Sequence, residues 1–280
     1  MVRVITTRLA DPRYYQVAVL SSLLVYGVAA LDFGVTWLSA AVIATMALTT
    51  QWAAGRVVGL PRFDPLSALI TSLSLTLLLR TDSLVIAGLA AVLAIGSKFV
   101  IRIDGKHVFN PANVAIVTLM LATDHAWLSS GQWGNATLLA FGFASAGLLV
   151  LTKARRAETT IAFLVTFAGL LFAHAAWLGD PLTIPLHQLK SGALLLFAFF
   201  MISDPKTTPD HALGRVLYGM LVAVAGYGIQ FVLYEPHGPI TALVFLAPFV
   251  PVIDRLFTGC RYAWTKPQPG RTRFHKGVVT

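Results

Sequence analysis

Ten apolar stretches follow one another along almost the whole chain, at residues 16–31, 35–54, 65–80, 83–101, 109–123, 134–152, 159–178, 188–203, 211–234 and 238–257. A helix that crosses a bilayer needs about 20 mainly apolar residues, and fewer where proline or glycine interrupts it. The pattern therefore predicts an all-α polytopic membrane protein with ten transmembrane helices. Hydrophobic residues make up 56% of the chain, charged residues 12%, and mean hydropathy is +0.75, outside the usual range of a soluble domain. No stretch is long and polar enough to form a separate soluble unit. Residues 1–257 read as one transmembrane domain and 258–280 as a basic tail. The tail either lies against anionic headgroups or is a solvated end that only sets topology.

Positive charge gives the orientation. With the N-terminus in the cytoplasm, all Lys and Arg except Arg80 and Lys190 fall on the cytoplasmic side, as the positive-inside rule requires. Both termini are then cytoplasmic, and the formal charge of +9 follows membrane topology and does not point to nucleic acid. The first span follows Arg3, Arg8 and Arg13 and reads as a signal anchor, because a second apolar stretch comes at once. A single cysteine, Cys260, excludes an intrachain disulfide framework, a self-supplied iron–sulfur cluster and a multi-thiolate zinc site. No phosphate loop, dinucleotide fingerprint or nucleophile signature occurs, so no catalytic residue and no metal ligand is assigned.

Features of the first half return in the second. Segment three begins DPLSALITSL and exits at Asp82, while segment eight begins QLKSGALLL and exits at Asp204. Segment five opens NPANVAI at Asn110, and segment ten opens GPITALV at Gly238. With five spans per half, the second half (134–257) must enter the membrane upside down relative to the first (14–124). Inverted repeats with short or broken spans in equivalent positions place a site where those spans meet.

Two polar elements sit at such positions. In GKHVFNPAN (105–113), Pro111 suits the first turn of a helix and Asn110 suits its cap. A helix beginning at membrane depth aims its free amides at whatever lies ahead, so Lys106, Phe109, Asn110, Pro111 and Asn113 belong to a ligand-facing element. In SDPKTTPD (203–210), Asp204 lies close to the hydrocarbon, with Thr207 and Thr208 beside it. An acid there either marks an ion or substrate path or caps segment nine.

These residues resemble the RnfD/NqrB family, which contains the D subunit of the Rnf electron-transport complex and the B subunit of the sodium-translocating NADH:quinone oxidoreductase. The similarity runs through FDPLSALITSLSLTLLL (63–79), SKFVIRIDGKHVFNPANVAI (97–116), SGALLLFAFFMISDPKTTP (191–209) and GPITALVFLAPFVPVIDR (238–255). It implies a urea-transporter-like fold of two inverted five-helix halves in a bacterial inner membrane. It also implies a redox subunit with no self-contained catalytic site, which works with other redox subunits and a quinone. The implied cofactor is a flavin, FMN or riboflavin, near Asn110, Pro111 and Asn113 on one side and Asp204, Thr207 and Thr208 on the other. Lys98, Arg102 and Lys106 would draw its phosphate or ribityl chain. The family's electron-transport subunits carry a Ser-Gly-Ala-Thr element between the halves for covalent FMN. The corresponding stretch, ATDHAWLSSGQWGNATLL (122–139), lacks it, so the flavin is expected to be noncovalent, as in stand-alone relatives of the UnbU kind. A small-solute or ion channel of the same fold without a redox role is the alternative.

Overall fold

The computed structural model describes residues 11–30, 34–129 and 157–262. Segment six, residues 130–139 of the inter-half stretch, Arg3, Arg8 and the tail from residue 263 lie outside the described residues. The other nine apolar segments coincide with helices. In chain order these are α1 (Pro12–Ala30), α2 (Trp37–Val57), α3 (Pro65–Leu78), α4 (Leu84–Val100), α5 (Pro111–Ala122), α6 (Glu158–Leu178), α7 (Thr183–Leu189) with α8 (Gly192–Leu196), α9 (Ala212–Phe231), α10 (Gly238–Leu246) and α11 (Val250–Leu256). Local chemistry starts and stops them. Thr36 caps α2 through Ser39 N, Ser83 caps α4 through Ile86 N, and a left-handed Gly179 ends α6.

Three helices among the described residues are long and apolar enough to cross a membrane: Glu158–Leu178, Ala212–Phe231 and Gly238–Leu256, the last being α10 and α11 joined through a tight turn at Ala247–Phe249. Pro248 and Pro251 explain that turn, since each removes a helical amide donor. The shorter apolar helices are α3, α4 and α5. Apolar side chains face outward on many helices, with Val165 68% and Phe245 59% exposed. A water-soluble surface does not carry so much contiguous apolar area, whereas lipid covers it without cost.

Among the segments that stop short, the third and the eighth end differently. Segment three, read as helical to residue 80, leaves the helix after Leu78, and Leu79–Thr81 becomes strand β1. It pairs antiparallel with β4 (Ala126–Leu128), Arg80 opposite Trp127, so its backbone groups find partners without water. Arg80, expected on the outer loop, is buried and donates to the Thr76 and Leu79 carbonyls. Segment eight is bent by 50° between α7 and α8 and finishes in a π turn at Phe197–Met201. Side chains, not a strand, then supply donors to the carbonyls that follow.

The helices pack in two similar sets. In the first, α2 lies along α4: a Cβ on Gly88 would touch Met46 and Val42, and ten residues on, Lys98 reaches Gln51, so the two run parallel. In the second, α6 lies along α9, with Gly219 against Thr159 and Phe163 and Tyr227 against His174, again parallel. Helix α4 continues against α5 as α9 does against α10. Across the sets, Asn113 in the first turn of α5 meets Ile240 in the first turn of α10, and Lys106 in the preceding hairpin meets Asp254 in α11.

Glycines permit the tightest contacts. A Cβ on Gly219 would sit 2.5 Å from the Thr159 carbonyl, and one on Gly238 would collide with the Gly226 carbonyl. Replacing Gly238 by Val is expected to abolish the monodisperse detergent-solubilised protein, while Gly96→Ala, where nothing lies within 4 Å, leaves the melting temperature unchanged. Size-exclusion chromatography and thermal unfolding in the same detergent measure both.

Candidate functional site

The hairpin formed by β2 (Arg102–Ile103) and β3 (Lys106–His107) leads into α5. Pro111 occupies its first turn, and Asn110 caps it by accepting from Asn113 N at 3.1 Å. The same asparagine reaches the second half, its Nδ2 donating to the Met201 carbonyl at 3.3 Å. Asn113, 1% exposed, donates from Nδ2 to the Ile240 carbonyl at 3.0 Å. Its Oδ1 has no partner among the described residues.

The second element is a tight turn. The Asp204 carbonyl accepts from the amides of Thr207 and Thr208, and its Oδ1 accepts from Lys206 N. It does not cap segment nine; His211 does, accepting from Leu213 N. Lys106 crosses from the first half to clasp this turn, donating to the Thr208 carbonyl at 2.6 Å and pairing with Asp210 at 3.3 Å and Asp254 at 3.1 Å. Arg215, buried, donates to the Pro209 and Asp210 carbonyls and pairs with Glu158. The Thr208 hydroxyl is buried without a partner among the described residues.

The two elements close on one cavity of about 70 Å³, shared by Asn110, Pro111, Asp204, His107, Lys206 and Arg13, with hydroxyls from Ser67, Thr71, Ser74 and Ser203. A second pocket of about 280 Å³ lies on the other side of His107 and is walled by Lys106, Thr207 and α11. Phe109 is half-buried and lines neither. Lys98, read as a loop cation, is instead buried in α4, donating to Gln51 Oε1 and Ser67 Oγ, both at 2.9 Å. Arg102 is turned to the Gly105 carbonyl and away from the cavity.

Sequence reasoning thus missed His107, Gln51 and the hydroxyl row. Ser67, Thr71 and Ser74 recur at helical spacing on one face, the signal available for them. Lys98 and Gln51 are isolated polar groups inside apolar helices, which is a signal as well.

A flavin needs more room than this. Pockets for organic ligands run from about 300 Å³ upward, against about 70 Å³ here. The amides of Asn110 and Asn113 and the Lys106 ammonium are also spent on the protein itself. The Asn113 and Thr208 oxygens have no partner among the described residues but line neither cavity, and the space between the two elements does not fit a flavin in this arrangement.

Burial holds the His107 imidazole below its ordinary 6.5; Lys98, Lys206 and Arg102 push the same way, and Asp204 opposes them. Burial likewise lowers Lys206, aided by Arg13, Arg261 and Lys106.

Fold and site together define a helical integral membrane protein with a small polar chamber between two packed sets of helices. Residues 124–262 match the NQR2, RnfD, RnfE family. The chain is similar to proteins named as the D subunit of an ion-translocating oxidoreductase complex. That of Erwinia tasmaniensis is 34% identical over 125 residues, 44% of this chain and 34% of the relative. Those of Citrobacter koseri and Escherichia coli O1:K1 are 33% and 34% identical over 129 and 131 residues, each 46% of this chain and 33% and 32% of the relative. The match spans about one third of the length of these curated relatives.

The geometry sets two expectations for substitutions. Asn110→Ala should cost about 2 kcal/mol, about 1 for the cap and about 1 for the bond to Met201. Asn110→Ser restores the cap and recovers about half; denaturant titration in detergent checks both. His107 binds a proton less readily folded than unfolded, so its contribution is intact above pH 6.5 and falls as pH drops below it. His107→Gln should flatten the acid limb of the melting temperature against pH.

Proposed function

We propose that the chain is a membrane-embedded subunit of an ion-translocating oxidoreductase complex, passing electrons between a cytoplasmic donor and a carrier in or across the membrane. One observation carries the reading: the FNPAN and SDPKTT elements, far apart in sequence, close on a single buried cavity and are joined by the Asn110–Met201 bond. The family match and the name carried by the relatives support it. Such a subunit needs partners, because no nucleotide-binding motif is present to take electrons from a soluble donor.

The parallel packing of α2 with α4 and of α6 with α9 supports two structurally similar halves, and five apolar spans in each would invert one relative to the other. The loop cations support cytoplasmic termini in a bacterial inner membrane. A noncovalent flavin, FMN or riboflavin, is the redox group this reading carries, with a quinone as acceptor. Holding it requires the halves to part at the Lys106 clasp.

A second reading has its own support. A chamber of about 70 Å³, lined by four hydroxyls, suits a small solute better than a flavin. Purification of the full chain from its native membrane separates the two. Flavin released on denaturation, with occupancy reduced in Asn110→Ala while the fold persists, supports the redox subunit. Colourless protein that conducts a small solute in liposomes contradicts it.

A further inference from the structure

The pocket of about 280 Å³ beside the hairpin is not absorbed by the reading above. One wall is apolar, formed by Ile103, Val108, Val250 and Pro251. The wall continues outward along the same helix into Phe249, Val252 and Leu256, 57%, 49% and 72% exposed. Its rim is charged with both signs. Lys106 is outnumbered by Asp210 and Asp254, its two partners, and Asp104 adds a further carboxylate. Arg255 and Arg261 are exposed, and neither forms a hydrogen bond or ion pair with another described residue. Lys106, Arg255 and Arg261 against Asp104, Asp210 and Asp254 leave the pocket lining with no net charge.

A neutral rim carrying both signs favours a ligand with both a phosphate and an ammonium over a simple anion, because each ligand charge then meets its complement. The apolar wall running onto an outward apolar face asks for a ligand with a hydrocarbon tail. The pocket also lies at the ends of α4 and α11, the level of the headgroups once those helices sit in a bilayer. We infer that this pocket binds a zwitterionic aminophospholipid, its phosphate on Arg255 and Arg261, its ammonium toward Asp104, and its acyl chain over Val252 and Leu256. The site stands apart from the flavin question; a colourless protein leaves it untouched.

The test uses delipidated full-length protein in detergent, given an equimolar mixture of phosphatidylethanolamine and phosphatidylglycerol of matched chains, with retained lipid read by native mass spectrometry. Phosphatidylethanolamine should be retained in preference. Arg255→Gln with Arg261→Gln should lower its retention by about fivefold per arginine, as expected for basic groups at a lipid surface. Asp104→Asn, also at an exposed residue, should lower phosphatidylethanolamine and raise phosphatidylglycerol. Equal retention of the two lipids, or retention indifferent to these substitutions, overturns the inference. So does full displacement by water-soluble glycerophosphoethanolamine at concentrations equal to the lipid, which would assign the site to a free phosphoammonium compound.

Discussion

Every backbone amide and carbonyl at hydrocarbon depth must find a partner inside the protein, because lipid offers none. Several of the described helices stop before they could cross, and the ends of two of them show how the architecture answers that constraint. At the end of α3 the answer is a short strand: β1 pairs with β4. After α8 it is a set of side chains. Asn110 donates to the Met201 carbonyl, Lys106 to Thr208, and Arg215 to Pro209 and Asp210. Two of these three donors come from the first half of the chain, so the broken end of the second half is completed by the first.

That dependence makes the chamber. Stitching FNPAN to SDPKTT brings a carboxylate, an imidazole, two cations and a row of hydroxyls around a space of about 70 Å³. Such groups are expensive in a membrane and are kept where a pathway or site needs them. Here they satisfy one another closely: Lys98 rests on Gln51 and Ser67, and Lys106 lies between two aspartates. Polar chemistry is in place there with little free volume, and the bonds that join the halves include charge-assisted ones, which are stronger than neutral ones.

Much of this was legible in the sequence, and the reasons differ by element. The apolar runs located nine described helices, since burial against lipid leaves no room for another pattern. Asn110 and Pro111 gave the start of α5 because cap and first-turn chemistry are local. The end of α3 was not legible: SLTLLLRT is as apolar in a strand as in a helix, and only the distant β4 decides. Lys98 and Arg80 were misplaced for a related reason. A lone cation near a helix end reads as a loop charge unless its partners are known, and Gln51 and Ser67 lie 47 and 31 residues away. The volume of the chamber is likewise a property of packing, so the room for a flavin could not be judged from FNPAN alone.

The central claim is that the mouth of α5 and the far end of the chain are held together across the halves. Paired cysteines at Lys106 and Asp254, whose charged atoms lie 3.1 Å apart, test it in native membranes, with the exposed Cys260 replaced by serine and a short thiol cross-linker added. A within-half pair at Arg215 and Glu158, 3.0 Å apart, serves as the control. The account predicts efficient cross-linking of both pairs. Cross-linking of the control alone would contradict it.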